Sequence, residues 1–141
     1  GLAHLVRLAR WAGWRTWGEK LVVVLHVAYL FVALGFLLLA ASLFGAPLLP
    51  SAALHAWTVG AIGLMTLAVM TRASLGHTGH PLHATRSIAL LYLGGLVAAL
   101  ARIAMGLGSA EFLFLHLAAV GWLVAFAGFV VIYAPILARP R

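Results

Sequence analysis

Seven histidines stand among nine basic residues, two acidic residues and no cysteine. Imidazole is therefore the one ligand type present in numbers. Thiolate metal sites, disulfides and cysteine nucleophiles are excluded, and the carboxylates are limited to Glu19 and Glu111. Imidazole suits iron, copper and zinc. No glycine-rich phosphate loop, carboxylate pair or serine triad accompanies the histidines, so hydrolysis and phosphoryl transfer have no apparatus here. The balance is against an enzyme.

The elements that position these histidines follow from composition. Hydrophobic residues make up 65% of 141, or about 92, and charged residues 8%. A soluble domain carries about 25% charged residues, and one membrane span takes about 20 residues. The chain thus reads as an all-α integral membrane protein with four transmembrane helices, over about 21–44, 52–71, 87–105 and 110–137. Helices are the default because hydrocarbon offers no partner to an exposed amide. The first span should stop at Gly45-Ala46-Pro47, and Ser51 is the expected N-cap of the second. The third should end at Gly106 and Gly108, the fourth near Pro140. Two units are expected: an interfacial amphipathic segment at 1–20, and a transmembrane bundle at 21–141. In the first, Trp11, Trp14 and Trp17 alternate with Arg7, Arg10 and Arg15, the composition of an aromatic belt with snorkelling arginines. Gly60, Gly63, Gly94, Ala98, Gly121, Ala125 and Gly128 are suited to close approach between helices. The chain opens at Gly1 rather than Met, which leads us to expect an upstream segment.

The basic residues set the orientation. Arg7, Arg10, Arg15, Lys20, Arg72, Arg86, Arg139 and Arg141 fall on one side of the four spans, and Arg102 alone falls toward the other. The positive-inside rule puts both termini in the cytoplasm. The net charge of +7 then reflects flanks meeting anionic lipid, not nucleic-acid binding.

Depth sorts the histidines into two layers. His26, His77, His80 and His83 lie at the cytoplasmic level, the last three in a loop. His55 and His116 lie at the outer level with Glu111 and Arg102, for which an ion pair is the simplest expectation. His4 reads as a solvated interfacial residue. His55 and His77, 22 positions apart, would be roughly 33 Å apart on a helix and cannot ligate one metal. His55 and His116 meet only if the second and fourth spans are neighbours there. They would then supply both axial positions of a haem b or part of a copper site. Taken singly, each is equally well a hydrogen-bonded helix-end histidine.

The segment His55-Ala-Trp-Thr-Val-Gly-Ala-Ile-Gly-Leu-Met-Thr-Leu-Ala-Val-Met-Thr-Arg-Ala-Ser-Leu-Gly-His77-Thr-Gly resembles the NnrS family of bacterial membrane proteins. Arg10-Trp-Ala-Gly-Trp-Arg-Thr, Leu25-His26-Val-Ala-Tyr29 and Tyr133-Ala-Pro-Ile-Leu-Ala-Arg-Pro-Arg141 are similar to its closing region. The resemblance covers the whole chain and corresponds to the C-terminal third of proteins with about twelve spans. It implies haem b and/or copper, an association with nitric oxide stress or denitrification, and the bacterial inner membrane. No firmly established turnover comes with it. Carried over by position, His26, His55 and His77 are cofactor ligand candidates, with Arg72 a partner for a haem propionate. His80 departs from the family, which usually has arginine there, and either adds a metal ligand beside His77 or replaces a charge. His116 lies outside the matched motifs, and is kept with His55, His77 and His80 as a metal candidate.

Two functions compete. One is a haem- or copper-binding membrane module concerned with nitric oxide. The other is a cofactor-free accessory subunit packed against a larger respiratory or photosynthetic complex. Both place the chain in the lipid bilayer beside further transmembrane helices or subunits. A small transporter is disfavoured, because the spans lack paired broken helices and intramembrane carboxylates.

Overall fold

A computed structural model describes residues 1–45, 50–108 and 110–138. No strand occurs among them. Helix α1 is Leu2–Arg10, followed by a 3-10 turn over Gly13–Thr16. Then come α2, Lys20–Leu43, α3, Pro50–His77, α4, Arg86–Gly106, and α5, Glu111–Leu137. The last four are long and apolar enough to cross a membrane. Ala46, Pro47, Arg139, Pro140 and Arg141, which figure in the expected breaks and the charge count, lie outside the described residues.

Three of the four spans match their expected ranges to within a residue or two. The second is longer at both ends. Pro50 occupies the first helical turn, where its missing N–H costs nothing, so Ser51 is inside the helix and not its N-cap. At the other end the helix runs past Thr71 to His77, because Ser74 and Leu75 are buried and prolong the packed face. It stops at Gly79, whose φ of +72° is the left-handed conformation. There the His80 amide donates to the Leu75 carbonyl at 3.0 Å, closing a Schellman-type cap. His77 therefore ends a helix instead of standing in a loop. Helix α4 has a side-chain cap that the sequence did not advertise, Thr85 Oγ1 accepting from the Ile88 amide at 3.3 Å.

Within α3, Ala56–Gly63 forms a π-helix directly after His55. The wider turn goes with contact to α2 on one side. The Trp57 indole donates to the Val32 carbonyl at 3.1 Å and packs edge-on to Phe36 at 4.9 Å. A Cβ on Gly35 would lie 2.2 Å from that indole, so α2 can seat it only with glycine there.

The helices pack in chain order, α2 on α3, α3 on α4, and α4 most extensively on α5. The Leu64–His77 half of α3 also reaches α5, whereas the Pro50–His55 end packs on α2 and α4. Close approach of α4 and α5 rests on Gly94 and Gly121. A Cβ on Gly121 would sit 2.6 Å from the Gly94 carbonyl oxygen and 2.9 Å from the Ala98 nitrogen. This is the small-residue contact expected of helices in hydrocarbon, where dispersion and not water exclusion brings them together. The outward faces are apolar, Leu93, Leu123 and Val131 among them being exposed, as lipid contact requires.

Helix α1 lies along α2 in the opposite direction. His4 Nδ1 is 2.8 Å from the Tyr29 hydroxyl, and its ring stacks on Phe36 at 5.4 Å. Trp11 sits 4.6 Å from Tyr29. His4 is thus a packed, hydrogen-bonded residue, which corrects the expectation of a solvated one. Trp14 and Trp17 point outward and are exposed.

Gly121→Leu should lower the melting temperature of the purified protein in detergent, by an overpacking cost of about 1–3 kcal/mol. Gly18→Ala, where a Cβ meets no atom within 4 Å, should leave it unchanged. Equal melting of the two variants would contradict the tight α4–α5 contact.

Candidate functional site

Helix α3 is one rod, so His55 and His77 stand at opposite ends of it and belong to different sites. Each end gathers its own polar residues.

At the His77 end, Arg72 and His77 line one cavity of about 320 Å³ with Leu25, Ala68, Val69 and Leu82. The sequence could propose this pair only by resemblance. Five residues apart on α3, Arg72 and His77 do not share one helix face; both are exposed and border the groove that Leu25 and Leu82 complete. His80 turns back on that loop, its Nδ1 being 2.8 Å from Thr78 Oγ1, while Thr78 itself donates to the Ser74 carbonyl at 2.6 Å. His83 is exposed.

His26 lies elsewhere. The buried stripe of α2 runs through Leu21, Val24, Ala28, Phe31 and Gly35, and His26 is off it. The ring is covered by the 3-10 turn: a Cβ on Gly13 would meet His26 Cδ2 at 2.8 Å, and Trp11 stands edge-on at 6.0 Å. His26 Nδ1 donates to the Val22 carbonyl at 3.0 Å. A carbonyl can only accept, so the Nε2 of the neutral ring carries the lone pair.

At the His55 end, Arg102 of α4 reaches across to α3. Its Nη2 donates to His55 Nε2 at 2.8 Å, which places the proton of the neutral imidazole on Nδ1. The expected Arg102–Glu111 ion pair does not form: among the described residues Arg102 bonds only His55 and, at 3.7 Å, the Met105 sulfur. His116 also makes no pair with His55. It donates from Nδ1 to the Phe112 carbonyl of its own helix at 2.7 Å and is exposed. The reason is the packing order. The Pro50–His55 end of α3 faces α2 and α4, and α5 meets α3 mainly lower down. Among the described residues no three histidine or acidic side chains stand close enough to hold a metal ion.

Three polar features went unread in the sequence. Thr71 donates to the Ala68 carbonyl, so Tyr92 is the donor in the short hydrogen bond joining Tyr92 to Thr71, within the buried interface of α3 and α4. The Tyr133 hydroxyl is buried without a partner among the described residues, its ring stacked on Phe129 at 4.6 Å. The third is the His55–Arg102 bond. A tyrosine among apolar neighbours on a helix gives no sequence signal of its partner, and all three depend on which helices are adjacent.

A family model described as NnrS protein matches residues 1–141, the entire chain. The chain belongs to the NnrS family. No curated protein and no solved structure matches it. Family membership thus rests on the whole matched range, including both histidine-bearing ends of α3.

Because Gly79 closes α3 in the left-handed conformation, Gly79→Ala should cost roughly 1–2 kcal/mol at that cap. Faster amide hydrogen exchange is expected at Thr78 and His80, with α4 amides unchanged. Unaltered exchange at His80 would refute the cap that positions His77.

Proposed function

We propose that this NnrS-family chain works as a membrane haem- or copper-binding protein linked to nitric oxide stress or denitrification, with its haem edge at the His77 end of α3. The observation that carries this reading is the cavity shared by His77 and Arg72. An imidazole, a guanidinium and four apolar side chains in one pocket form a donor set suited to a haem: His77 would hold the iron, Arg72 would pair with a propionate, and the apolar residues would exclude water. When bound, the haem would supply the ligand-binding or electron-transfer chemistry. The chain's part is to fix the imidazole by the Gly79 cap and to keep the site apolar through Leu25, Ala68, Val69 and Leu82.

The donor chemistry separates the remaining candidates. His26 and His116 each spend Nδ1–H on a backbone carbonyl, the arrangement that orients a ligating histidine to present Nε2. His55 presents neither nitrogen as a lone pair while Arg102 holds Nε2. A copper centre needs more ligands than any one of these positions offers. Such a centre, with His55, His77, His80 or His116 as one ligand, would take the others from further transmembrane helices or subunits. Orientation with both termini in the cytoplasm of a bacterial inner membrane puts the His77 end on the cytoplasmic side, and the Trp11–Trp17 segment at that interface.

Purified from membranes supplied with haem and copper, the intact protein should show a Soret band. His77→Ala should lower its haem-to-protein ratio, and Arg72→Gln should weaken haem retention, whereas His83→Ala should leave both unchanged. Colourless, metal-free protein with every histidine intact would refute the reading and favour a cofactor-free accessory subunit.

A further inference from the structure

Among the described residues, Arg102 is a cation without a counter-charge. It stands near one end of a membrane-spanning helix, half-buried, and its acceptors among the described residues are a neutral imidazole nitrogen and a thioether sulfur. An arginine carries five donors in a planar fork and cannot lose its charge. Ionisable groups in spans are as a rule paired or functional. Glu111, the one carboxylate at this level, is exposed and not bonded to it. His55 also tethers the guanidinium between α3 and α4 at 2.8 Å. Arg102 is the one charged residue lining a cavity of about 270 Å³ whose other walls are apolar: Val59, Ala98, Leu115, Ala118 and Trp122 among them. That cavity is bounded by α3, α4 and α5, and its Leu115 and Trp122 walls are themselves exposed, so in a bilayer it opens toward lipid.

We infer that this cleft is a binding site for an anionic phospholipid of the adjoining leaflet. The phosphate diester would accept from the Arg102 fork and an acyl chain would lie against Leu115, Ala118 and Trp122. Charge complementarity selects the occupant. A guanidinium prefers a planar, bidentate contact with phosphate oxygens, and an unpaired cation beside an apolar groove matches a molecule that is anionic at one end and hydrocarbon at the other. His55 acts as a positioning residue by holding the fork in place. The inference is independent of any haem at the His77 end, which lies at the other end of α3.

The test uses the intact purified protein, delipidated in mild detergent, with native mass spectrometry to count bound lipid. Palmitoyl-oleoyl phosphatidylglycerol should be retained at about tenfold lower concentration than phosphatidylcholine bearing the same chains, a difference of about 1.4 kcal/mol. Arg102→Gln should abolish that preference, and Arg86→Gln, at the opposite end of α4, should keep it. Ala119→Phe, which fills the cavity and spares the His55–Arg102 bond, should lower retention of both lipids at this site. It also serves if the Arg102 variant fails to fold. Equal retention of the two lipids by the unaltered protein, an undiminished preference in Arg102→Gln, or undiminished retention in Ala119→Phe overturns the inference. Displacement of phosphatidylglycerol by an equimolar amount of oleate would assign the site to a free carboxylate and overturn it also.

Discussion

A backbone placed in hydrocarbon must satisfy its own amides, and nearly everything in this protein follows from that requirement. Each long helix pairs its N–H and C=O groups internally, which leaves the helix ends as the places where polar groups must find other partners. The polar side chains of the bundle accordingly gather at two levels. Thr85 caps α4, Gly79 caps α3, and His26, His116, Thr58 and Thr78 return hydrogen bonds to carbonyls one turn back. Histidine in such a setting is first of all a residue that must be hydrogen-bonded. The carbonyl bond that satisfies Nδ1 of His26 and His116 leaves Nε2 of the neutral ring as the acceptor.

Since the helices are no more hydrophobic than the lipid around them, their arrangement depends on shape. Gly94 against Gly121 draws α4 and α5 together until one backbone touches the other, and Gly35 accepts the Trp57 indole. These contacts decide which polar residues become neighbours. With α5 held against α4, His116 is kept from His55. With α3 beside α4, Arg102 takes the place that a second histidine would have needed. The π-helical stretch after His55 belongs to the same economy of shape, for it brings Trp57 to α2 while the chain below continues against α4 and α5. π-helical segments recur at functional sites, and here one separates the tethered His55 from the remainder of the rod.

The two ends of α3 then differ in chemistry. The His77 end has a guanidinium and an imidazole facing a common cavity. The His55 end has the same two groups bonded to each other, so the imidazole is occupied and the guanidinium is the group left to act. The family's histidine-to-histidine segment thus carries two unlike ends on one helix, one where an imidazole and a guanidinium line a common cavity and one where they bond each other.

Much of the fold was legible from the residues alone. Apolar runs of the right length, broken by Gly45, Gly106 and Gly108, gave four spans, and the small residues marked where helices would touch. The separation of His55 from His77 followed from helical rise, and α3 as one rod obeys it. Other features were closed to any reading along the chain. Continuation of α3 from Thr71 to His77 depends on buried Ser74 and Leu75, that is, on neighbours hundreds of atoms away in sequence order. His4 looked solvated because its partners, Tyr29 and Phe36, are brought to it only by α1 folding back. Arg102 looked like a partner for Glu111 because they are close in sequence, and instead it bonds His55, 47 positions away. Sequence by itself determined composition, periodicity and depth, because bilayer thickness and helical rise act locally on each segment. Only tertiary structure decided which side chains meet, because in hydrocarbon that choice rests on the fit of one helix surface against another.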